Sequence, residues 1–172
     1  FQERFGFFQQ KVDACIWVHA VSVGETVATA PLIKACLQQY PNLPIVLTST
    51  TPTGYARAKA LFNQEVIRGY MPYDLPGSMK RFLNRIHPKL IILMETELWP
   101  TLLHLSHKKN IPTFLANARL SERSARGYRG LGSLGRNMFA NLIHIAAQAE
   151  PDANRFIQLG ASKNRVTICG NL

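Results

Sequence analysis

Short apolar runs alternate with helical patterns along most of the chain. We predict strands over the apolar runs 15–21, 44–48, 66–71, 90–94, 112–116, 143–148 and 166–169. Helical spacing of apolar residues predicts helices over 25–39, 53–62, 78–86, 101–109, 136–142 and 152–159. The stretch 117–135 is rich in glycine, serine and arginine, and we predict that it is irregular.

The strand pattern predicts an α/β fold. Runs such as Leu90-Ile91-Ile92-Leu93 are apolar without a break, which is typical of a sheet covered on both faces. Regular alternation of strand and helix implies crossover connections, and hence a Rossmann-like, doubly wound parallel sheet with helices on both faces. Ligands of such folds bind beyond the carboxyl ends of the strands, so the residues after each strand are candidates for one shared crevice.

The segment Ser22-Val23-Gly24-Glu25 follows the first predicted strand and permits two interpretations. Serine at a helix N-cap with glutamate three residues later is the capping-box pattern, which stabilises a helix by about 1 kcal/mol. The functional alternative is that Glu25 deprotonates a hydroxyl nucleophile at the mouth of the crevice. A helix N-terminus favours the carboxylate and so weakens that base, which a nearby second carboxylate would counteract.

Glu95 and Glu97 follow the fourth predicted strand. If the extended conformation continues, their spacing of two places both side chains on one face. Two close like charges are costly unless a cation, a proton or a hydrogen-bonding sugar compensates, which favours a functional site. The alternative is a carboxylate that caps the helix beginning near Trp99-Pro100.

Two further segments could bind anions. Thr51-Pro52-Thr53-Gly54 opens the second predicted helix with hydroxyls and free backbone N–H groups, and Arg57 follows one turn later. It lacks the lysine of a Walker motif, and an ordinary helix start explains it equally well. The stretch that begins at Asn117 carries Arg119, Ser121 and Arg123, and arginine suits bidentate contacts to phosphate, although a solvated surface is the commoner use of such a run.

Composition narrows the class of protein. The 172 residues are 47% hydrophobic and 17% charged, as in a globular protein, and carry a net charge of +10. This surplus predicts an anionic partner such as nucleic acid, an acidic membrane or a phosphorylated substrate. Cys15, Cys36 and Cys169 are widely spaced, and we expect reduced, buried thiols and no metal site.

The two ends of the sequence affect how it is interpreted. No apolar run reaches the roughly 18 residues of a transmembrane helix, and no secretory signal opens the chain. The sequence starts without methionine and stops just after a predicted strand. We therefore expect a piece of a longer protein.

The strand-end segments together resemble the Kdo (3-deoxy-D-manno-octulosonic acid) transferases of lipopolysaccharide assembly. The resemblance spans nearly the whole chain and rests on six segments in family order: His19-Ala20-Val21-Ser22-Val23-Gly24-Glu25, Thr50-Thr51-Pro52-Thr53-Gly54, Pro72-Tyr73-Asp74-Leu75-Pro76, Glu95-Thr96-Glu97-Leu98-Trp99-Pro100, Asn117-Ala118-Arg119-Leu120-Ser121 and Gly170-Asn171-Leu172. It implies residues 1–172 as the single acceptor-binding N-terminal lobe of a GT-B glycosyltransferase. A membrane anchor would precede this lobe, and a donor-binding domain would follow it.

By this resemblance, Glu25 matches the proposed general base, and Glu95 and Glu97 match a second acidic motif. Arg119 and Arg57 would contact an acceptor phosphate or the Kdo carboxylate, and the other substrate-binding candidates are Ser22, Gly24, Thr51, Thr53, Gly54, Ser121 and Arg123. The donor would be CMP-Kdo and the acceptor a lipid A precursor, with no metal, no cofactor and no nucleic acid. The site of action would be the anionic cytoplasmic face of the bacterial inner membrane, and the fragment alone would be inactive.

Two alternatives stay open. One is another GT-B glycosyltransferase with a different acceptor, which predicts the same fold and the same use of Glu25. The other is a basic Rossmann-like module that binds nucleic acid, although no aromatic residues are interleaved with the arginines as a stacking platform would need. A dinucleotide-dependent oxidoreductase is disfavoured, because no G-x-G-x-x-G turn follows the first strand.

Overall fold

The computed structural model describes residues 2–172 and contains alternating strands and helices. The strands β1 to β7 are Cys15–His19, Ile45–Ser49, Ile67–Tyr70, Pro88–Met94, Thr113–Ala118, His144–Ala147 and Val166–Ile168. The helices α1 to α8 are Val23–Ala28, Ala30–Gln39, Pro52–Phe62, Pro76–Ile86, Pro100–Lys108, Glu122–Gly130, Ser133–Ala140 and Glu150–Gln158. Short 3-10 turns lie at Gln2–Phe5 and Lys163–Arg165.

The seven strands belong to one sheet with the order β3-β2-β1-β4-β5-β6-β7. β1 pairs with β2, β2 with β3, β5 with β6 and β6 with β7, and all four pairings are parallel. Every residue of β1 and β2 is buried, so both faces of these strands are covered. The predicted α/β, Rossmann-like, doubly wound parallel sheet is confirmed.

The chain divides into two compact units, one ending at Ile92 and one beginning at Leu93. The core of the first unit forms where β1 meets α4. Trp17 is fully buried, its ring packs edge-on against Phe82 at 4.9 Å, and its indole N–H donates to the hydroxyl of Thr48 at 2.8 Å. His19, also fully buried, places Nδ1 2.9 Å from the same hydroxyl. The amphipathic α4 buries Phe82 and its neighbours and ends at His87 in the left-handed conformation.

The N-terminal segment 2–12 is part of this first unit. Phe8 is buried and packs edge-on against Phe82 at 5.3 Å. A Cβ atom at Gly69 would lie 2.1 Å from the Phe8 ring, so only glycine at this position of β3 leaves room for it. Arg81 and Arg85 of α4 donate to the backbone carbonyls of Phe5 and Phe8, at 2.7 and 3.0 Å, and so fix the segment to the helix.

In the second unit, the core includes a cluster of aromatic side chains on successive helices. The rings of Phe139 on α7 and Phe156 on α8 lie 5.8 Å apart, and both side chains are buried. Tyr128 of α6 packs edge-on against Phe139 at 5.3 Å. α6, α7 and α8 are thus tied together through one aromatic cluster.

Two regions of the chain, 25–39 and 117–135, differ from the predictions. The predicted helix 25–39 is interrupted at Thr29, which ends α1 and precedes α2, because Pro31 has no N–H to donate to the carbonyl of Val27. The prediction that 117–135 is irregular was wrong, since α6 lies within it and α7 begins there. The apolar pattern of α6 is weak because Ala125 is its single buried residue. Gly127 also lowers the helix propensity of this segment.

Candidate functional site

The carboxylate of Glu25 is tied to the chain that precedes α1. Its Oε2 accepts the backbone N–H of Val21 at 2.8 Å, and its Oε1 accepts the hydroxyl of Ser22 at 2.9 Å. Ser22 is the N-cap of α1 and accepts the backbone N–H of Glu25 at 3.2 Å. The capping interpretation of these residues is therefore seen in the structure, and Glu25 is buried with 8% of its surface exposed.

The same residue, Val21, also holds the N-terminus of α3 through its carbonyl. The hydroxyl of Thr51, the N-cap of α3, donates to the carbonyl of Val21 at 3.2 Å and accepts the N–H of Gly54 at 3.1 Å. A Cβ atom at Gly54 would lie 3.1 Å from that carbonyl and 3.0 Å from the Thr51 hydroxyl. Glycine at this position therefore lets α3 approach the end of β1 closely. The structure brings together Ser22, Glu25, Thr51 and Gly54. Their use as one substrate site stays a prediction.

Capping does not use the full capacity of the Glu25 carboxylate. A carboxylate offers about four acceptor positions, and each oxygen of Glu25 accepts one hydrogen bond from the preceding chain. The capping bonds therefore leave acceptor positions on the group, and their use by a ligand hydroxyl stays a prediction. The two hydrogen bonds fix the orientation of the carboxylate, which general base catalysis requires.

The remaining candidates of the first unit lie at its surface. Gly24 is exposed, and Thr53 donates to the hydroxyl of Thr51 at 3.3 Å. Arg57 is an exposed residue of α3, in the second turn of the helix. Their roles in binding a substrate remain predictions.

In the second unit, the acidic segment does not continue β4. The strand ends at Met94, and Glu95 has a φ of 53°, in the left-handed region that non-glycine residues seldom adopt. The expectation that an extended chain places Glu95 and Glu97 on one face is therefore wrong. The segment forms a turn in which the N–H of Glu97 bonds the carbonyl of Met94 at 3.3 Å and that of Leu98 bonds Thr96 at 2.8 Å. A left-handed residue at a strand end is the kind of strained backbone that collects at functional sites.

Arg119, Ser121 and Arg123 lie at or near the start of α6. Ser121 is its N-cap and accepts the N–H of Ser124 at 3.1 Å. The carbonyl of Arg119 accepts the hydroxyl of Thr96, which joins the acidic turn to this segment. The side chains of Arg119 and Arg123 are exposed, so both guanidinium groups are accessible to a ligand.

Sequence reasoning missed three residues that organise this part of the second unit. Asp152 accepts the N–H of Leu120 at 2.8 Å, and Arg155 donates to the carbonyl of Leu120 at 3.0 Å. Tyr128 donates to the carbonyl of Thr96 at 3.5 Å. Burial and, secondly, the charge of Glu97 raise the pKa of Tyr128. Of these three residues, only Asp152 had a signal in the sequence: it is an acidic residue in the first turn of a predicted helix, where backbone N–H groups are available to it.

Other titratable groups are part of the core. Burial raises the pKa of Cys15 to about 12, and it also raises the pKa of Cys36. Burial lowers the pKa of His19 to about 4, although a hydrogen bond to the Thr48 carbonyl opposes the shift. The three cysteines are free, but the expectation of buried thiols is wrong for Cys169, which is exposed because β7 is largely accessible to solvent.

Within residues 2–172 there is neither a cluster of metal-ligating side chains nor a membrane-spanning helix. No group of three or more histidine, cysteine, aspartate or glutamate side chains in this range could hold a metal ion. No helix in the same range has both the length and the apolar character needed to cross a bilayer.

Comparison with known sequences identifies relatives along the whole chain. A family model described as 3-deoxy-D-manno-octulosonic-acid transferase (kdotransferase) matches residues 1–172. The 3-deoxy-D-manno-octulosonic acid transferase of Haemophilus influenzae is 44% identical over 99% of this chain and 40% of its own length. That of Bordetella pertussis is 42% identical over 92% of this chain and 37% of its own length. The chain thus spans about two fifths of the length of these relatives.

Comparison with solved structures finds the same fold at low sequence identity. The UDP-GlcNAc 2-epimerase of Neisseria meningitidis, bound to UDP-GlcNAc, superposes with a TM-score of 0.62 at 15% identity. The match covers 92% of this chain and 47% of the epimerase. A putative UDP-N-acetylglucosamine 2-epimerase of Listeria monocytogenes gives a TM-score of 0.65 at 10% identity, over 93% of this chain and 46% of its own. At these identities the likeness shows the fold.

Proposed function

The chain belongs to the 3-deoxy-D-manno-octulosonic-acid (Kdo) transferase family, and from this premise we propose that residues 1–172 are the acceptor-binding domain of an inverting glycosyltransferase. The enzyme transfers Kdo from CMP-Kdo to a lipid A precursor in lipopolysaccharide biosynthesis. The donor is bound mainly by the part of the relatives' length that this chain does not span. The isolated chain is therefore inactive.

The observation that carries the proposal is the oriented carboxylate of Glu25. In the reaction a hydroxyl oxygen of the acceptor attacks the anomeric carbon of Kdo, and the bond from that carbon to the CMP phosphate oxygen breaks. Glu25 accepts the hydroxyl proton, and CMP leaves with the bonding electrons. The two fixed hydrogen bonds from Val21 and Ser22 keep the carboxylate in place throughout.

The other site residues bind and orient the acceptor in this proposal. Glu95 and Glu97 accept hydrogen bonds from sugar hydroxyls, and the left-handed backbone at Glu95 supports a role beyond folding. The exposed guanidinium groups of Arg57, Arg119 and Arg123 pair with acceptor phosphates or the Kdo carboxylate. The cap and loop residues Ser22, Gly24, Thr51, Thr53, Gly54 and Ser121 line the binding surface. Protein charges serve in place of a metal.

A lipid acceptor sets the location of the enzyme. A net charge of +10 suits a bisphosphorylated glycolipid in an anionic leaflet, and each well-placed lysine or arginine contributes about 1 kcal/mol to such binding. We place the reaction at the cytoplasmic face of the bacterial inner membrane, where the protein contacts the anionic surface.

The test is an assay of the complete protein with CMP-Kdo and a lipid A precursor dispersed in detergent. We expect Kdo transfer by the complete protein and none by residues 1–172 alone. Transfer of a different sugar, or to an acceptor without phosphates, would favour another GT-B glycosyltransferase. Transfer by the 172-residue chain alone would contradict the division between acceptor and donor domains.

A further inference from the structure

The guanidinium group of Arg4 joins the ends of two neighbouring strands of the first unit. It donates to the carbonyl of Thr50, directly after β2, and to the carbonyl of Met71, directly after β3, the latter at 3.0 Å. The last residues of these strands, Ser49 and Tyr70, are partners in the sheet. One half-buried side chain therefore fixes two strand ends at the edge where ligands of Rossmann-like folds bind.

Arg4 is also connected to α3 through an aromatic stack. Its guanidinium carbon lies 4.9 Å from the centre of the Tyr70 ring, and that ring stacks on Tyr55 of α3 at 5.0 Å. A cation over a tyrosine ring is attracted to the negative face of the ring. The carboxylate of Glu3 accepts the backbone N–H of Tyr70 at 2.9 Å. The 3-10 turn Gln2–Phe5 thus holds Arg4 against β3.

Two further hydrogen bonds lead from the Arg4 contact to the carboxylate of Glu25. The Thr50 carbonyl belongs to the planar peptide that ends at Thr51, so the bond from Arg4 sets where Thr51 lies. The Thr51 hydroxyl donates to the carbonyl of Val21 at 3.2 Å. The N–H of Val21 in turn donates to Oε2 of Glu25 at 2.8 Å. A displacement of the Thr50 peptide can therefore reach the carboxylate in two steps.

We infer that Arg4 is a positioning residue for Glu25, the proposed general base. It holds the Thr50 peptide and, through Thr51 and Val21, keeps the carboxylate in the orientation that proton transfer needs. Its guanidinium group is committed to carbonyls and a ring, so Arg4 acts without touching the substrate. The inference rests on the proposed function, since it gives Arg4 a part in the reaction assigned to Glu25.

Arg81 provides a matched comparison in the same unit. Its guanidinium group donates to the carbonyl of Phe5 at 2.7 Å and lies 4.7 Å from the centre of the Phe7 ring, so it too bonds a carbonyl and covers a ring. It fixes the same N-terminal segment from α4 and has no bond to the peptide before Thr51. If Arg4 only anchored this segment, loss of either arginine would have the same effect.

The kinetic test compares Arg4→Gln with Arg81→Gln in the complete protein, using CMP-Kdo and a detergent-dispersed lipid A precursor. Arg4→Gln should lower kcat about tenfold and leave KM for both substrates within about twofold, because a misplaced base slows the chemical step. Arg81→Gln should keep a normal kcat per folded molecule, with the folded fraction taken from thermal unfolding.

Arg4→Lys is a milder variant that keeps the charge. Lysine donates from a single nitrogen and lacks the fork that reaches both carbonyls, so kcat should fall about threefold. A normal kcat in both Arg4 variants, or an equal loss in Arg81→Gln, would overturn the inference. A raised KM for the acceptor would also overturn it, because it would indicate direct contact between Arg4 and the substrate.

A double-mutant cycle tests the path of the effect. Thr51→Val removes the hydroxyl that bonds Val21, so Arg4 should lose its connection to Glu25. In that background Arg4→Gln should lower kcat by less than about twofold more, since the two changes break the same path. A full tenfold further loss would show that Arg4 acts by another route and would overturn the inference.

Amide hydrogen exchange separates this inference from the proposed function, because it needs no substrate. In the complete protein, Arg4→Gln should speed exchange of the Val21 N–H about tenfold, and Arg81→Gln should leave it unchanged. Unchanged exchange at Val21 in Arg4→Gln would overturn the inference even in a protein that transfers Kdo. Faster exchange in a protein that transfers no Kdo would contradict the proposed function alone.

Discussion

The carboxylate of Glu25 accepts the backbone N–H of Val21 at 2.8 Å, one residue before the N-cap of α1. In the usual capping box the glutamate returns to the N–H of the N-cap itself, here Ser22. The shift by one residue places the carboxylate against the peptide that directly follows Ala20, at the end of β1. The side chain of Glu25 thus caps α1 and lies at the carboxyl end of β1, and ligands of Rossmann-like folds bind at the carboxyl ends of the strands.

We predict that Glu25→Gln abolishes transfer without unfolding the protein. The glutamine oxygen can still accept the Val21 N–H, and its amide can donate to Ser22, so the cap survives. Loss of the base should lower kcat by about 10²- to 10⁴-fold. Sugar transfer and thermal unfolding of the complete protein are the two measurements.

Glu25→Ala is the matched control for that experiment. It removes both hydrogen bonds and should cost about 1 kcal/mol of folding stability in addition to the activity. If Glu25→Gln retains normal transfer per folded molecule, Glu25 is a cap and not the base.

Gly54→Ala should destabilise the protein, although alanine is normally the better helix former. The added Cβ would press on the Val21 carbonyl and the Thr51 hydroxyl, at 3.1 and 3.0 Å, and we expect a loss of about 1 kcal/mol or more. Gly127→Ala on α6 is the control, because its Cβ meets nothing within 4 Å. That variant should gain roughly 0.5–1 kcal/mol in urea unfolding. The prediction requires that Gly54→Ala lowers the free energy of unfolding and that Gly127→Ala raises it.

The free energy of unfolding should decrease as the pH is lowered, because His19 titrates at different pH values in the folded and unfolded states. Burial lowers the pKa of this residue to about 4 in the folded state, while the unfolded chain keeps a value near 6.5. The unfolded state therefore binds the proton first, and the His19 contribution is lost as pH falls from about 6.5 to about 4. This residue alone should reduce the free energy of unfolding by roughly 2 kcal/mol between pH 7.5 and 5.

The variant His19→Asn isolates that effect. Its amide nitrogen can take the place of Nδ1 beside Thr48, so the hydrogen bond survives while the titration is removed. In urea unfolding across the same pH range, the free energy of unfolding should change less steeply with pH than in the unsubstituted chain. An identical slope in His19→Asn would contradict the prediction.

The cysteines should react in a fixed order. Cys169 is exposed, whereas burial raises the pKa of Cys15 to about 12 and leaves almost no thiolate at neutral pH. Alkylation of the folded chain, followed by mass spectrometry, should modify Cys169 and spare Cys15 and Cys36. All three should react after unfolding in urea. The thiol of Cys15 donates to the carbonyl of Ile86 at 3.1 Å, so early modification of Cys15 would show that the end of α4 opens readily.

Glu97→Gln should lower the pKa of Tyr128. The Glu97 charge is the second cause of the raised pKa, after burial, so the value should fall but stay above the ordinary one near 10. The pKa is measured from the tyrosinate absorbance during a pH titration. The contribution of Tyr128 is the difference between each protein and the same protein that also carries Tyr128→Phe. An unchanged pKa would indicate that the acidic turn faces away from α6.

The sequence predicted β1 and β2 because these strands are buried along their whole length and therefore read as mostly apolar runs. It missed α6, whose single buried residue, Ala125, leaves no apolar periodicity to detect. It also missed the turn at Glu95, since no local pattern indicates that a glutamate takes a left-handed conformation. The assumption that the backbone stays extended from Met94 to Glu97 was wrong.

The candidate site was predicted unevenly for a related reason. The cap at Ser22 and Glu25 is a local motif, so its hydrogen bonds follow from spacing alone. The bond from Thr51 to Val21 joins residues thirty positions apart, and no pattern in either segment indicates it. A shared crevice for Glu25, Glu95 and Glu97 stays a prediction.

Residues 2–12 have a consequence for protein engineering. Phe8 occupies space that Gly69 leaves open, and Arg81 and Arg85 are committed to carbonyls of this segment. Deletion of this segment would remove the Phe8 ring that packs on Phe82 and leave a cavity there. It would also remove the carbonyls that accept hydrogen bonds from Arg81 and Arg85. An expression vector that starts at β1 should therefore yield insoluble material, whatever the fate of the catalytic residues.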